Sequence, residues 1–136
     1  MTSSTWLRIA AGLALLQGVA HATLILFAPP KHGPEEVAVI DNMKSHHFNF
    51  LGARRSYWDL YIGYALIAAI ICLVEAALFW QVAPLTPDLI RLVAGVFVAF
   101  NIVHALLAAR FFFITPIILD FLIAACLVLA YVLAAA

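Results

Sequence analysis

The sequence predicts an all-α integral membrane protein. It reads as a four-helix bundle in up-down-up-down order, with an amphipathic interfacial helix in the long connection between helices 1 and 2. Three observations predict this class. Four apolar stretches, at about 5–27, 57–80, 87–109 and 116–134, are each long enough to cross a bilayer core as a helix. The 136 residues are 67% hydrophobic and only 10% charged, far from the roughly 45–50% and 25% of a soluble domain. A chain this small has too little interior to hide that much apolar surface from water. The whole chain reads as a single transmembrane domain.

The first stretch, 5–27, has a short start containing Arg8, then an apolar run and Ala20-His21-Ala22, which together resemble a cleavable signal peptide. Apolarity continues through Leu24, Ile25, Leu26 and Phe27, so a retained membrane helix is the expectation. In the connection, 28–55, Pro29-Pro30-Lys31-His32-Gly33 breaks the chain. Pro34-Glu35-Glu36 then has the character of a helix start, with acids where the macrodipole favours them. Val37, Ile40, Met43, His47 and Phe50 recur at three- and four-residue spacing, which predicts an interfacial helix over 34–50. Ser56-Tyr-Trp-Asp59 predicts a capped start for the second span. Thr86-Pro87 and Thr115-Pro116 predict the starts of the third and fourth. The short connections near Pro84 and around Arg110 to Ile114 make neighbouring helices antiparallel. The excess of Lys and Arg on the long-connection side predicts that side to be cytoplasmic.

Seven basic and seven acidic residues cancel, and nothing suggests a nucleic acid partner. Membrane lipid and an apolar small-molecule ligand are the expected partners. Gly12, Gly18 and Gly95 permit close helix contact, within one chain or across a homodimer. Cys72 and Cys126 read as small hydrophobes inside helices.

Ionisable and hydrogen-bonding side chains at hydrocarbon depth mark candidate sites, because they are costly there. At 1.5 Å rise per residue, His21 and Asp120 lie about 7 Å, and His104 about 9 Å, from the midplane on the long-connection side. Gln17 and Asn101 lie within about 5 Å of the centre. These five residues from three helices share one slab, and His104, Asp120 and His21 are the candidate catalytic groups. Asn101, Gln17, Arg54, Arg55, Trp58, Asp59 and His47 are the candidate substrate-binding groups, with Arg54 or Arg55 as a polar clamp. Asp59 has a competing reading as a capping acid, and the arginines as interfacial anchors. Glu75 falls roughly 10 Å out on the other side, at the depth of Arg91, which predicts a structural ion pair between them. Phe111-Phe112-Phe113, Trp6 and Trp80 read as interface belts.

A histidine beside a carboxylate in a low-dielectric pocket supplies an acid and a base near neutral pH. That suits isomerisation, epoxide opening or hydration of a small lipid-soluble molecule, with no cofactor or metal. Three other readings remain: a bundle binding haem b through His21 and His104, a proton-coupled small-molecule transporter, and a non-catalytic lipid-binding accessory subunit.

Arg55-Ser-Tyr-Trp-Asp-Leu-Tyr-Ile-Gly-Tyr64, with His47-Phe-Asn-Phe50 and Leu51-Gly52, resembles a segment of small uncharacterised bacterial four-helix membrane proteins. In size and span count the chain is similar to DoxX-like proteins. The resemblance implies a multi-pass protein of the bacterial cytoplasmic membrane and brings no activity with it. In concept the chain also resembles emopamil-binding proteins, short bundles with acid/base groups facing a lipid pocket, but it shares no motif with them.

Overall fold

The computed structural model describes residues 1–135. Its elements, in chain order, are α1 (Ser3–Phe27), α2 (Pro34–Ser45), β1 (His47–Phe50), β2 (Ala53–Ser56), α3 (Tyr57–Val82), α4 (Pro87–Phe111) and α5 (Ile114–Leu133). The four long helices α1, α3, α4 and α5 are long and apolar enough to cross a membrane. Only 22–33% of each spanning window is buried within the protein, so the outer faces need lipid. Helices satisfy their own backbone groups, which is what hydrocarbon demands of a spanning segment. The chain is a multi-pass membrane protein with an all-α bundle.

The helix starts follow local chemistry. Thr2 caps α1 by accepting from the Thr5 N–H at 3.3 Å. At α3, Ser56 and Asp59 form a reciprocal capping box: the Asp59 N–H donates to Ser56 Oγ at 3.1 Å and the Ser56 N–H to Asp59 Oδ2 at 2.8 Å. Pro87 occupies the first turn of α4 behind Thr86. Helix α5 starts earlier than its Thr-Pro pair suggested, at Ile114, with Phe113 as N-cap and no side-chain cap. Pro116 still lies within the first turn, where its missing N–H has no intrahelical partner to lose.

Helix α1 packs between α3 and α5, and α4 packs on α5; α3 and α4 meet at few points. Alanines line these seams: Ala10, Ala11 and Ala14 on α1, Ala94 and Ala105 on α4, and Ala124 and Ala130 on α5. Gly18 is needed for the α1–α3 approach, because a Cβ there would lie 3.1 Å from both the Ala69 carbonyl oxygen and Cys72 Cβ. The dense apolar core occupies the end of the bundle nearest the termini. There Leu7, Phe79, Ile90, Ile123 and Leu127 are packed together at 0–3% exposure.

The connection corrects the expected helix over 34–50. Helix α2 stops at Ser45, and residues 47–56 form an antiparallel hairpin pairing His47 with Ser56 and Phe50 with Ala53. Leu51 and Gly52 turn it with φ of +49° and +88°, the pattern of a two-residue type I′ turn. Asn49 Oδ1 accepts the Gly52 N–H at 2.9 Å. A helix through this turn would place Phe50 and Leu51 in a register that the positive φ angles forbid. Aromatic contacts pin the connection to the start of α3. Tyr57 lies 4.8 Å from Phe48 and stacks on His46 at 5.9 Å, and the Lys44 ammonium sits 4.9 Å over the Trp58 ring. None of α2 is buried, as expected for an element at the membrane surface.

Candidate functional site

Asp120 is the centre of the polar layer. It projects from α5 into the bundle and is 1% exposed. Gln17 Nε2, from α1, donates to its Oδ1 at 2.9 Å. His104 Nδ1, from α4, lies 2.8 Å from its Oδ2. A carboxylate accepts at both oxygens, so with Asp120 ionised Gln17 turns its amide nitrogen to it and its Oε1 away, and His104 carries its proton on Nδ1. The ring of His104 is further held by stacking on Phe100 at 6.0 Å and 6°. Its side chain is 38% exposed where that of Asp120 is 2%, and its Nε2 makes no hydrogen bond among the described residues.

His104 lines a cavity of about 110 Å³ in the half of the bundle nearest the long connection. Gln17, Ala20, His21 and Leu24 form the α1 wall, Ala68 and Cys72 the α3 wall. Ala108 extends the α4 wall; Phe112, Phe113, Thr115, Pro116 and Leu119 close the cavity around the start of α5. The void is lined by all four long helices, of which α3 and α4 meet each other at few points. Two buried polar atoms here have no hydrogen-bond partner among the described residues, Gln17 Oε1 and His21 Nε2. One turn apart on α1, these residues share a face.

Of the residues singled out in the sequence, Gln17, His21 and His104 line this cavity and Asp120 stands behind them. Asn101 does not line it. Its Nδ2 donates to the Phe97 carbonyl at 2.9 Å and to Glu75 Oε1 at 3.3 Å. Arg54 and Arg55 lie exposed on β2, His47 is exposed on β1 with Nδ1 3.0 Å from the Ser45 carbonyl, and Asp59 is held in the capping box. Trp58 stacks with Tyr61 at 5.4 Å. None of these five lines the cavity, so the arginine clamp does not form there.

The expected Glu75–Arg91 ion pair is absent. Glu75, 4% exposed, turns inward and accepts from Asn101. Arg91 instead donates to Tyr131 Oη at 3.4 Å and covers that ring at 5.0 Å. Matched depth along two helices says nothing about azimuth, and azimuth separates these two. Cys72, read as a structural hydrophobe, borders the cavity; Phe112 and Phe113 both border it and face outward, at 65% and 56% exposure. Among the described residues, no group of three or more His, Cys, Asp and Glu is placed to hold a metal ion.

No protein-family model matches this chain, and no curated protein or solved structure is significantly similar to it.

Proposed function

We propose that this protein is an acid/base enzyme of the bacterial cytoplasmic membrane that acts on a small lipid-soluble molecule. The observation that carries this reading is the Asp120–His104 pair at 2.8 Å, with the remaining nitrogen of His104 left free beside a largely apolar cavity. A buried carboxylate that fixes an imidazole's tautomer also stabilises the cation formed when the free nitrogen takes a proton. Gln17 keeps the second carboxylate oxygen occupied, so Asp120 stays an orienting group. His104 is the proton-transfer group, and His21 on α1 supplies a second imidazole in the same cavity.

Among isomerisation, epoxide opening and hydration, isomerisation needs least. A proton leaves one carbon of the substrate for His104 and returns at another, with no group gained or lost. The test is mass spectrometry of lipid extracts incubated with purified protein in nanodiscs. The wild-type chain should convert one lipid-soluble component into a product of equal mass, or of one water more. His104→Ala and Asp120→Asn, each checked for a native elution profile, should both abolish that conversion. Conversion retained in both variants removes the mechanism; a component retained but unchanged by the wild-type protein identifies a lipid-binding subunit instead.

A further inference from the structure

We infer that the ligand of this cavity carries a neutral hydrogen-bond donor at its polar end, and that it is an alcohol on a slender apolar chain. The inference rests on the acid/base reading for the site's identity and adds the chemical class of the molecule it takes. Gln17 decides the point. Its side chain is 7% exposed, its Nε2 is committed to Asp120, and its Oε1 is therefore a buried acceptor with no partner. An unpaired buried acceptor costs about 1–3 kcal/mol, which a ligand O–H restores and a ligand carbonyl or ether cannot. His21 Nε2, also unpartnered, is available to donate to the same hydroxyl oxygen. An alcohol answers both atoms with one group. A carboxylate would bring an acceptor against Gln17 Oε1 and a negative charge towards Asp120. An ammonium would have to leave water for a largely apolar cavity, a cost that a neutral hydroxyl does not carry.

The walls set the rest of the molecule. The cavity's roughly 110 Å³ is well below the 300–1,000 Å³ that typically enclose a whole drug-sized ligand. Only the head end fits inside, and the tail stays in lipid. Ala68 and Ala108 keep the α3 and α4 walls small and apolar, and α3 and α4 meet at few points, which suits a slender chain.

The test uses the full chain in nanodiscs with a diazirine-bearing long-chain alcohol as photoprobe. Dodecanol and dodecyl methyl ether compete at equal mole fraction in the bilayer. Dodecanol should protect the peptides holding Leu24 and Leu119 at an at least tenfold lower mole fraction than the ether, about 1.4 kcal/mol. In Gln17→Leu that preference should collapse towards unity. Equal competition by the two on the wild-type chain overturns the inference, and so does protection by neither, which means that the unpaired atoms are served by water alone. The two readings fail separately. Alcohol preference with no product formed sinks the acid/base enzyme and keeps this inference; conversion of a molecule with no donor group does the reverse.

Discussion

The half of the bundle nearest the termini and the half nearest the long connection share the same four helices but are packed by different rules. In the first, Leu7, Phe79, Ile90, Ile123 and Leu127 fill the interior, and Phe79 meets Phe97 edge-on at 5.1 Å. In the second, the helices part around a cavity bordered by two histidines, a glutamine and a thiol. The belt of Gln17, Glu75, Asn101 and Asp120 marks the division. Burying four polar side chains mid-span weakens packing that apolar side chains would do more simply. The contrast separates the end that carries the dense apolar packing from the end that carries the groups on which the proposed chemistry rests.

Substitutions on the two sides should therefore give opposite signatures. The largest effect expected is on catalysis. His104→Ala or Asp120→Asn should lower conversion by about 10²–10⁴-fold, the usual worth of a positioned acid/base group. Resistance to denaturation should change by less than about 1–2 kcal/mol, because polar contacts between membrane helices are individually modest. Next in size, Phe79→Ala should cost about 3–5 kcal/mol in an unfolding titration while leaving the turnover of the folded fraction intact. If Phe79→Ala cut specific turnover as deeply as His104→Ala, the division between the halves would be false.

A smaller effect sharpens the comparison within α1 itself. Gly18→Leu must push α1 from α3 at the Ala69 carbonyl and should cost about 1–3 kcal/mol by overpacking. Gly12→Ala meets nothing within 4 Å and should gain a few tenths to about 1 kcal/mol in the same titration. Equal effects at the two glycines would mean that the α1–α3 seam does not depend on close approach.

The smallest effect lies in the connection. Glu36 Oε2 accepts the His32 N–H at 2.7 Å and the Lys31 N–H at 2.6 Å. The His32 bond first, and then the Lys31 bond, hold its carboxyl below the ordinary carboxylate range. A depressed carboxylate contributes above its ordinary pKa, and the contribution is lost as pH falls through the lowered value. Hydrogen exchange at the Lys31 and His32 amides should therefore stay slow to below the ordinary carboxylate range. In Glu36→Gln it should be faster near neutral pH; unchanged exchange in that variant would show that the carboxylate does not order the turn.

The spans were legible because lipid imposes a one-dimensional rule: length and apolarity alone decide them. The capping box at Ser56 and Asp59 was legible because a cap is local. The slab of Gln17, His21, His104 and Asp120 could be placed by counting rise along each helix. Azimuth could not be counted the same way, and that is where reading failed. Glu75 and Arg91 match in depth but face different neighbours. Cys72 borders the cavity because of how α3 is rotated against α1 at Gly18, which no residue pattern states. The hairpin was missed because His47 and Phe50 continue the helical spacing of Val37, Ile40 and Met43. The Leu51-Gly52 turn, with a leucine in left-handed backbone, lacks the usual Asn-Gly signal.

The arrangement at His104 can be read directly from the ring nitrogens by ¹⁵N NMR of histidine-labelled protein in nanodiscs, with His104 assigned by substitution and observed where its ring is neutral. A proton on Nδ1 with Nε2 bare, reversed or mixed in Asp120→Asn, is the result that a carboxylate-oriented base facing the cavity requires. A wild-type ring protonated on Nε2 instead would contradict it.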